Sequence, residues 1–161
     1  MIDVYVAAGS NVKPQEHLRE ALRILRGHYP NMRVSTAYRN KAVGFEGDDF
    51  INLVVGFETE DSLPQVIQHL HEAEAACGRP RGAPKWEPRT MDLDLLLYGD
   101  LLLDEPRIKL PRPDLLKRPY MLRPMAELAP DLLHPTTGKT MRRLWDEFDP
   151  GAHQMTPIGL G

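Results

Sequence analysis

Twice along this chain the hydrophobic period changes from that of a strand to that of a helix and back, and this restricts the fold more than any other feature. Ile2 to Ala8 reads as a strand with Val4, Val6 and Ala8 on one face. Gly9-Ser10-Asn11 turns towards Pro14, and Leu18, Ala21, Leu22 and Leu25 then mark a helical stripe, with Gly27 placed to end it. Met32 to Tyr38 is a second strand and residues 39–49 a polar loop. Phe50 to Thr59 is a third strand, with Ile51, Leu53, Val55 and Phe57 to one side. Ser62 and Gln65 have capping-box spacing ahead of a stripe of Leu63, Val66, Ile67, Leu70, Ala73 and Cys77. Met91 to Tyr98 is a strand again, Gly99-Asp100 opens a short hairpin ending near Leu110, and helices are predicted near 119–129 and 140–148. The order β-α-β-β-α-β, with extra elements at the end, implies an α+β sandwich, ferredoxin-like at its centre. Residues 1–161 form one domain in this reading, with a loosely held tail from Asp149.

Composition narrows the function. A net charge of -3 argues against a surface built to cover nucleic acid or an anionic membrane. The single cysteine, Cys77, excludes an intrachain disulfide. The N-terminus reads as a strand and not as a leader, and no apolar run approaches the roughly 20 residues of a membrane span, so cytoplasm is expected.

Asp92 and Asp94 carry the sharpest chemistry. Two apart on a strand, they project to the same face while Leu93, Leu95 and Leu97 face the other way. Adjacent carboxylates repel unless a cation stands between them, and hard oxygen ligands at this spacing suit Mg²⁺ with phosphate oxygens. A pair of surface acids on a half-exposed strand would look the same in isolation. The segment before them, GRPRGAPKWEPRT, has three prolines and two glycines and is irregular. It places Arg79, Arg81, Lys85 and Arg89 ahead of the acids, as a metal–triphosphate complex requires. Trp86 in mid-loop suits a stacking or lid role. Glu74 falls on a stripe that should be buried, so it needs a partner or sits at the stripe's margin. Phe50 and Asn52 share the strand face opposite the apolar row.

Other features lead away from the site. Gly138-Lys139-Thr140 resembles the end of a phosphate-binding loop, but Leu133 stands where the first glycine is required. His69 and His71, two apart on a helix, face different ways and make poor joint metal ligands. A nucleotidyltransferase using the same acids would release pyrophosphate in place of AMP. A ferredoxin-like RNA-binding module would need a basic face with aromatic central strands, which this acidic chain lacks.

With these residues in hand, the sequence resembles the 6-hydroxymethyl-7,8-dihydropterin pyrophosphokinases of folate biosynthesis. The resemblance runs from Val4 to about Gly138: AAGSN, YRN-x-x-x-G, DFIN, E-x-x-x-GR-x-R, W-x-PRTMDLDLLLYGD, LP-x-P, KRPYML-x-P and ELAPDLLHP. It implies a three-layer α-β-α sandwich with a ferredoxin-like centre and a mostly antiparallel sheet. It also implies transfer of pyrophosphate from ATP to the pterin's hydroxymethyl oxygen by a monomer. Two Mg²⁺ ions would sit on Asp92 and Asp94, with Arg79 and Arg89 as further catalytic groups. Glu74, Arg79, Arg81, Trp86, Arg89, Leu95, Arg107, Arg112 and Arg118 would form the ATP side. Asn40, Val43, Phe50, Asn52, Trp86 and Tyr120 would hold the pterin, Phe50 and Tyr120 sandwiching its ring. Arg112 departs from the family's usual His, and Asn40-Lys41-Ala42 replaces a Thr-Pro-Pro-like stretch.

Overall fold

The computed structural model describes residues 1–40, 49–77, 91–149 and 155–160. Strand β1 (Ile2–Ser10) leads into helix α1 (Pro14–His28), followed by β2 (Arg33–Val34), β3 (Ala37–Asn40) and β4 (Phe50–Thr59). Helix α2 (Leu63–Ala76) and strand β5 (Asp92–Tyr98) complete the βαββαβ unit. A small hairpin, β6 (Leu103–Asp104) and β7 (Lys109–Leu110), precedes a single 3₁₀ turn at Pro113–Leu116. Helices α3 (Pro119–Leu128) and α4 (Met141–Glu147) and strand β8 (Met155–Ile158) follow.

The main sheet runs β5-β1-β4-β3-β8, with β2 also paired to β4, and its ladders are antiparallel. Alternation along each strand assigns its two faces to two cores. Val6, Ile51, Leu53, Val55, Leu93 and Leu95 pack with Leu18 and Leu25 of α1 and Val66 and Leu70 of α2. Tyr5, Ala7, Val54 and Leu96 pack with Met121, Leu122 and Met125 of α3 and Met141 of α4. Helices therefore cover both faces of the sheet, as the α+β reading expects.

Four local expectations need correction. The second strand is not continuous from Met32 to Tyr38: it breaks at Ser35, whose Oγ accepts the Val54 N–H at 2.9 Å and so satisfies the ladder with a side chain. Gly27 does not end α1, which runs to His28 and is capped at Tyr29, whose N–H donates to the Leu25 carbonyl. Leu97 does not share the face of Leu93 and Leu95, because the β1–β5 register shifts between Tyr5 and Val6, and this bulge turns Leu97 into the α3/α4 core. The tail is not loose throughout, since Met155–Ile158 pairs with β3 from Ala37↔Ile158 to Asn40↔Met155. By contrast the capping box of α2 forms as its spacing predicts, Ser62 and Gln65 each satisfying the other's N–H. Among the described residues no helix is long and apolar enough to cross a membrane.

Helix α3 is tied over its face by Glu127, whose carboxylate accepts the Thr36 N–H at 2.6 Å and the Tyr38 hydroxyl at 2.5 Å. Beneath the helix, the Tyr5 ring lies across Gly56. A Cβ at Gly56 would come within 2.7 Å of Tyr5 Cε1 and 3.3 Å of Leu128 Cδ2. Gly56→Ala is therefore expected to lower unfolding free energy by about 1–3 kcal/mol, the usual cost of an overpacked core, read from urea denaturation.

Candidate active site

Register builds the site. Asp92 pairs with Gly9, Gly9 with Asn52 and Asn52 with Tyr38, so one row crosses four strands on the α3 side of the sheet. The next row on that face joins Asp94, Ala7 and Val54. Asn40 pairs with Phe50, which stands two residues before Asn52 and shares its face. Neighbouring strands lie about 4.8 Å apart, so the acids of β5 stand roughly 10 Å from the amide and aromatic groups of β4.

Where α3 begins, this face is not filled by side chains of the second core, and a cleft of about 520 Å³ opens. Its lining includes Asp92 and Asp94 from β5, Asn52 and Phe50 from β4, Asn40 from β3, and Arg118 and Tyr120 at the start of α3. Seven residues separated by up to 80 positions in sequence thus share one concavity. Gly9 forms its floor, and a Cβ there would stand 2.5 Å from Asn52 Oδ1, so the missing side chain is what lets the Asn52 amide lie across β1.

Charge in the cleft is balanced by partners rather than by burial alone. The Arg112 guanidinium reaches Asp94 with Nη2–Oδ1 at 3.5 Å and Asp114 with Nε–Oδ2 at 3.5 Å. Its backbone N–H donates to the Leu96 carbonyl at 2.9 Å, which fixes it along β5. Burial pushes the Tyr120 hydroxyl up from its ordinary pKa, with Arg118 opposing and Asp114 and Asp94 reinforcing the shift. Tyr120 accordingly presents a neutral ring and hydroxyl to the cleft.

Glu74 answers the question of its partner in part. It is buried on α2, on the opposite side of the sheet from the cleft lining, and its Oε2 accepts the Leu93 N–H at 2.9 Å. Since β5 is a sheet edge, this carboxylate satisfies an outward amide between the two acids. Leu95 belongs to the first core, because it alternates with Asp94, and its side chain is not among those lining the cleft. Arg107 is exposed in the β6–β7 turn and is not among the cleft-lining residues. Val43, Arg79, Arg81, Trp86 and Arg89 lie outside the described residues.

Sequence reasoning missed Gly9 as the floor, Asp114 as a third acid and the Arg112–Asp94 pair. Gly9 had a visible cue as the first residue of the Gly-Ser-Asn run, of which β1 takes up Gly9 and Ser10 before the chain turns. The ion pair had none, for 18 residues and a hairpin separate its partners.

Two kinds of likeness bear on this geometry. Residues 5–130 match the family model described as 7,8-dihydro-6-hydroxymethylpterin-pyrophosphokinase (HPPK). Among curated relatives, a 2-amino-4-hydroxy-6-hydroxymethyldihydropteridine pyrophosphokinase from Synechocystis sp. is 42% identical over 73% of this chain and 60% of its own length. Proteins of the same name from Aquifex aeolicus and Pseudomonas aeruginosa are 32% and 39% identical, over 93% and 82% of this chain and 92% and 83% of theirs. In fold, the chain is similar to the Plasmodium falciparum HPPK-DHPS crystal structure with SDX-DHP: TM-score 0.66 at 12% identity, covering 91% of this chain and 43% of that one. With the matched segment spanning β1 to the end of α3, and so every described element of the cleft, this chain belongs to the 7,8-dihydro-6-hydroxymethylpterin-pyrophosphokinase family.

Proposed function

We propose that this chain transfers the terminal pyrophosphoryl unit of ATP to the hydroxymethyl oxygen of 6-hydroxymethyl-7,8-dihydropterin, giving AMP and the pterin diphosphate for folate biosynthesis. The observation that carries this reading is the sharing of one cleft by two strand-borne carboxylates, an amide and an aromatic ring two strands away, and a second aromatic ring at the start of α3. Family membership supplies the reaction class, and the relatives, known as hydroxymethyldihydropteridine pyrophosphokinases, supply the pterin. We place the enzyme in the cytoplasm as a monomer.

Asn52 and Asn40 would offer donors and acceptors to the edge of a pterin, and Phe50 and Tyr120, which also line the cleft, would stack on its ring. The triphosphate would lie towards β5 and the start of α3. There Arg118 and Arg112, together with Arg79, Arg81, Arg89 and Arg107, would offset its charge. Trp86 and Val43 would close over the pterin and exclude water.

Asp92 and Asp94 fit magnesium on their own chemistry. Both are carboxylates on one strand face, half-buried at the cleft, and Asp94 already draws a cationic guanidinium to 3.5 Å. Magnesium bound there, as two ions, would neutralise phosphate charge and lower the proton affinity of the hydroxymethyl oxygen. Arg112, beside Asp94, would offset negative charge on the nucleotide side of the site. Glu74 acts at one remove, holding the backbone of Leu93 so that Asp92 and Asp94 keep their common direction.

Incubation with magnesium, ATP and the pterin, with products identified by mass, is expected to yield AMP and a pterin diphosphate. Pyrophosphate with an adenylylated pterin would establish a nucleotidyltransferase instead. Asp94→Ala is expected to cut AMP release about 10²-fold or more with little change in thermal unfolding; a near-parental rate would remove the carboxylate from the mechanism. Gly9→Ala should weaken pterin binding by roughly tenfold, because its Cβ displaces the Asn52 amide, while ATP binding measured by calorimetry stays near parental. Equal losses for both substrates would mean that the substitution distorts the sheet instead.

A further inference from the structure

On the far side of the sheet from the cleft, the C-terminal end of α1 and the middle of α2 bring three metal-ligating side chains together. His28 is the last residue of α1, and His69 and Glu72 stand three apart on α2, on one helix face. One ligand atom from each lies within 4.8 Å of the other two. The imidazoles stack with centroids 3.8 Å apart, and His28 Nε2 is 3.8 Å from Glu72 Oε2. This is a different pairing from the His69 and His71 that the sequence sets side by side.

The groups behind His69 give the cluster a direction. Tyr29, 3% exposed and stacked on Phe57, has its hydroxyl 2.9 Å from Asp61 Oδ2 and 2.8 Å from His69 Nδ1. The protonated phenol donates to the Asp61 carboxylate. The oxygen then accepts from His69 Nδ1–H, and Nε2 is left with its lone pair. Asp61 is itself held, its N–H donating to Thr59 Oγ1 and its carbonyl accepting the Tyr98 hydroxyl at 2.6 Å. A carboxylate that fixes the tautomer of an imidazole from behind is the usual outer shell of a metal-binding histidine.

We propose that His28, His69 and Glu72 form a second, peripheral metal site for a borderline transition-metal ion such as Zn²⁺, Ni²⁺ or Cu²⁺. Two imidazoles and one carboxylate select such ions over magnesium. Metal bonds of 2.0–2.2 Å place neighbouring ligands about 3.4 Å apart in a tetrahedral shell, so the cluster must contract by roughly an ångström. That is within reach of His28 and Glu72, whose side chains are 36% and 50% exposed. The C-terminal end of α1 adds its partial negative charge. A bound ion would bolt α1 to α2, the layer that carries Glu74.

The test uses untagged full-length protein with one equivalent of Cu²⁺, read by electron paramagnetic resonance, and Zn²⁺ titration read by thermal unfolding. Nitrogen coupling from two imidazoles is expected in the parent and from one in His28→Gln or His69→Gln. Zn²⁺ should raise the unfolding temperature of the parent but not of His28→Gln, an exposed change that leaves Tyr29 and Asp61 in place. Tyr29→Phe should weaken Cu²⁺ binding by about tenfold, the cost of losing an outer-shell partner. Copper held only by oxygen ligands, as at the Asp92–Asp94 pair, or nitrogen coupling unchanged in both histidine variants, would overturn the proposal. Neither result bears on the pyrophosphokinase reading.

Discussion

The antiparallel register of β5 on β1 and β1 on β4 is the constraint from which the rest of the site follows. Setting Asp92 opposite Gly9 and Gly9 opposite Asn52 puts two acids and an amide on one face, at spacings fixed by backbone hydrogen bonds. A slip of one residue at either ladder would send the whole set into the α1/α2 core, where carboxylates have no solvent. Register is pinned because the opposite face is so strongly apolar: Val6, Leu53, Leu93 and Leu95 are each nearly or fully buried. The hydrophobic side of each strand therefore holds the cleft-facing side in place.

Two departures from regularity then adapt the frame to a cleft. The bulge at Tyr5/Val6 lets Leu96 and Leu97 both enter the second core, closing the sheet beneath α3 beyond the acids. Gly9 omits a side chain where one would strike Asn52, leaving a floor beneath the amide. Glu74 adds a third adjustment from the other layer, spending a buried carboxylate on the edge amide of Leu93. Acid and strand are thus coupled through the sheet: a change on α2 reaches the cleft without touching it. The same helix presents His69 and Glu72 to His28, so one element links both proposed metal centres.

Much of this was legible in the amino-acid sequence. The periods of two in 50–59 and 91–98 and the capping spacing at Ser62 are local properties, and local physics decides them in the same way in any fold. The direction of Asp92 and Asp94 follows from their spacing alone. Phe50, Asn52, Asn40, Arg118 and Tyr120 were placed by resemblance, and all five line the cleft that the acids share. What failed was of another kind. The break at Ser35 depends on a side chain replacing a ladder bond to Val54, and the strand at 155–158 depends on a free edge at β3, neither of which local patterning contains.

By itself, then, the sequence determined the element types, the α+β class and the common direction of the Asp92–Asp94 pair. Each of these rests on periodicity or on chemistry carried by a few adjacent residues. Only the tertiary structure decided that Arg112 meets Asp94, that Gly9 makes room for Asn52 and that His28 stacks on His69. Those contacts join residues tens of positions apart, and their geometry is set by strand register and helix packing, which are cooperative properties of the whole chain.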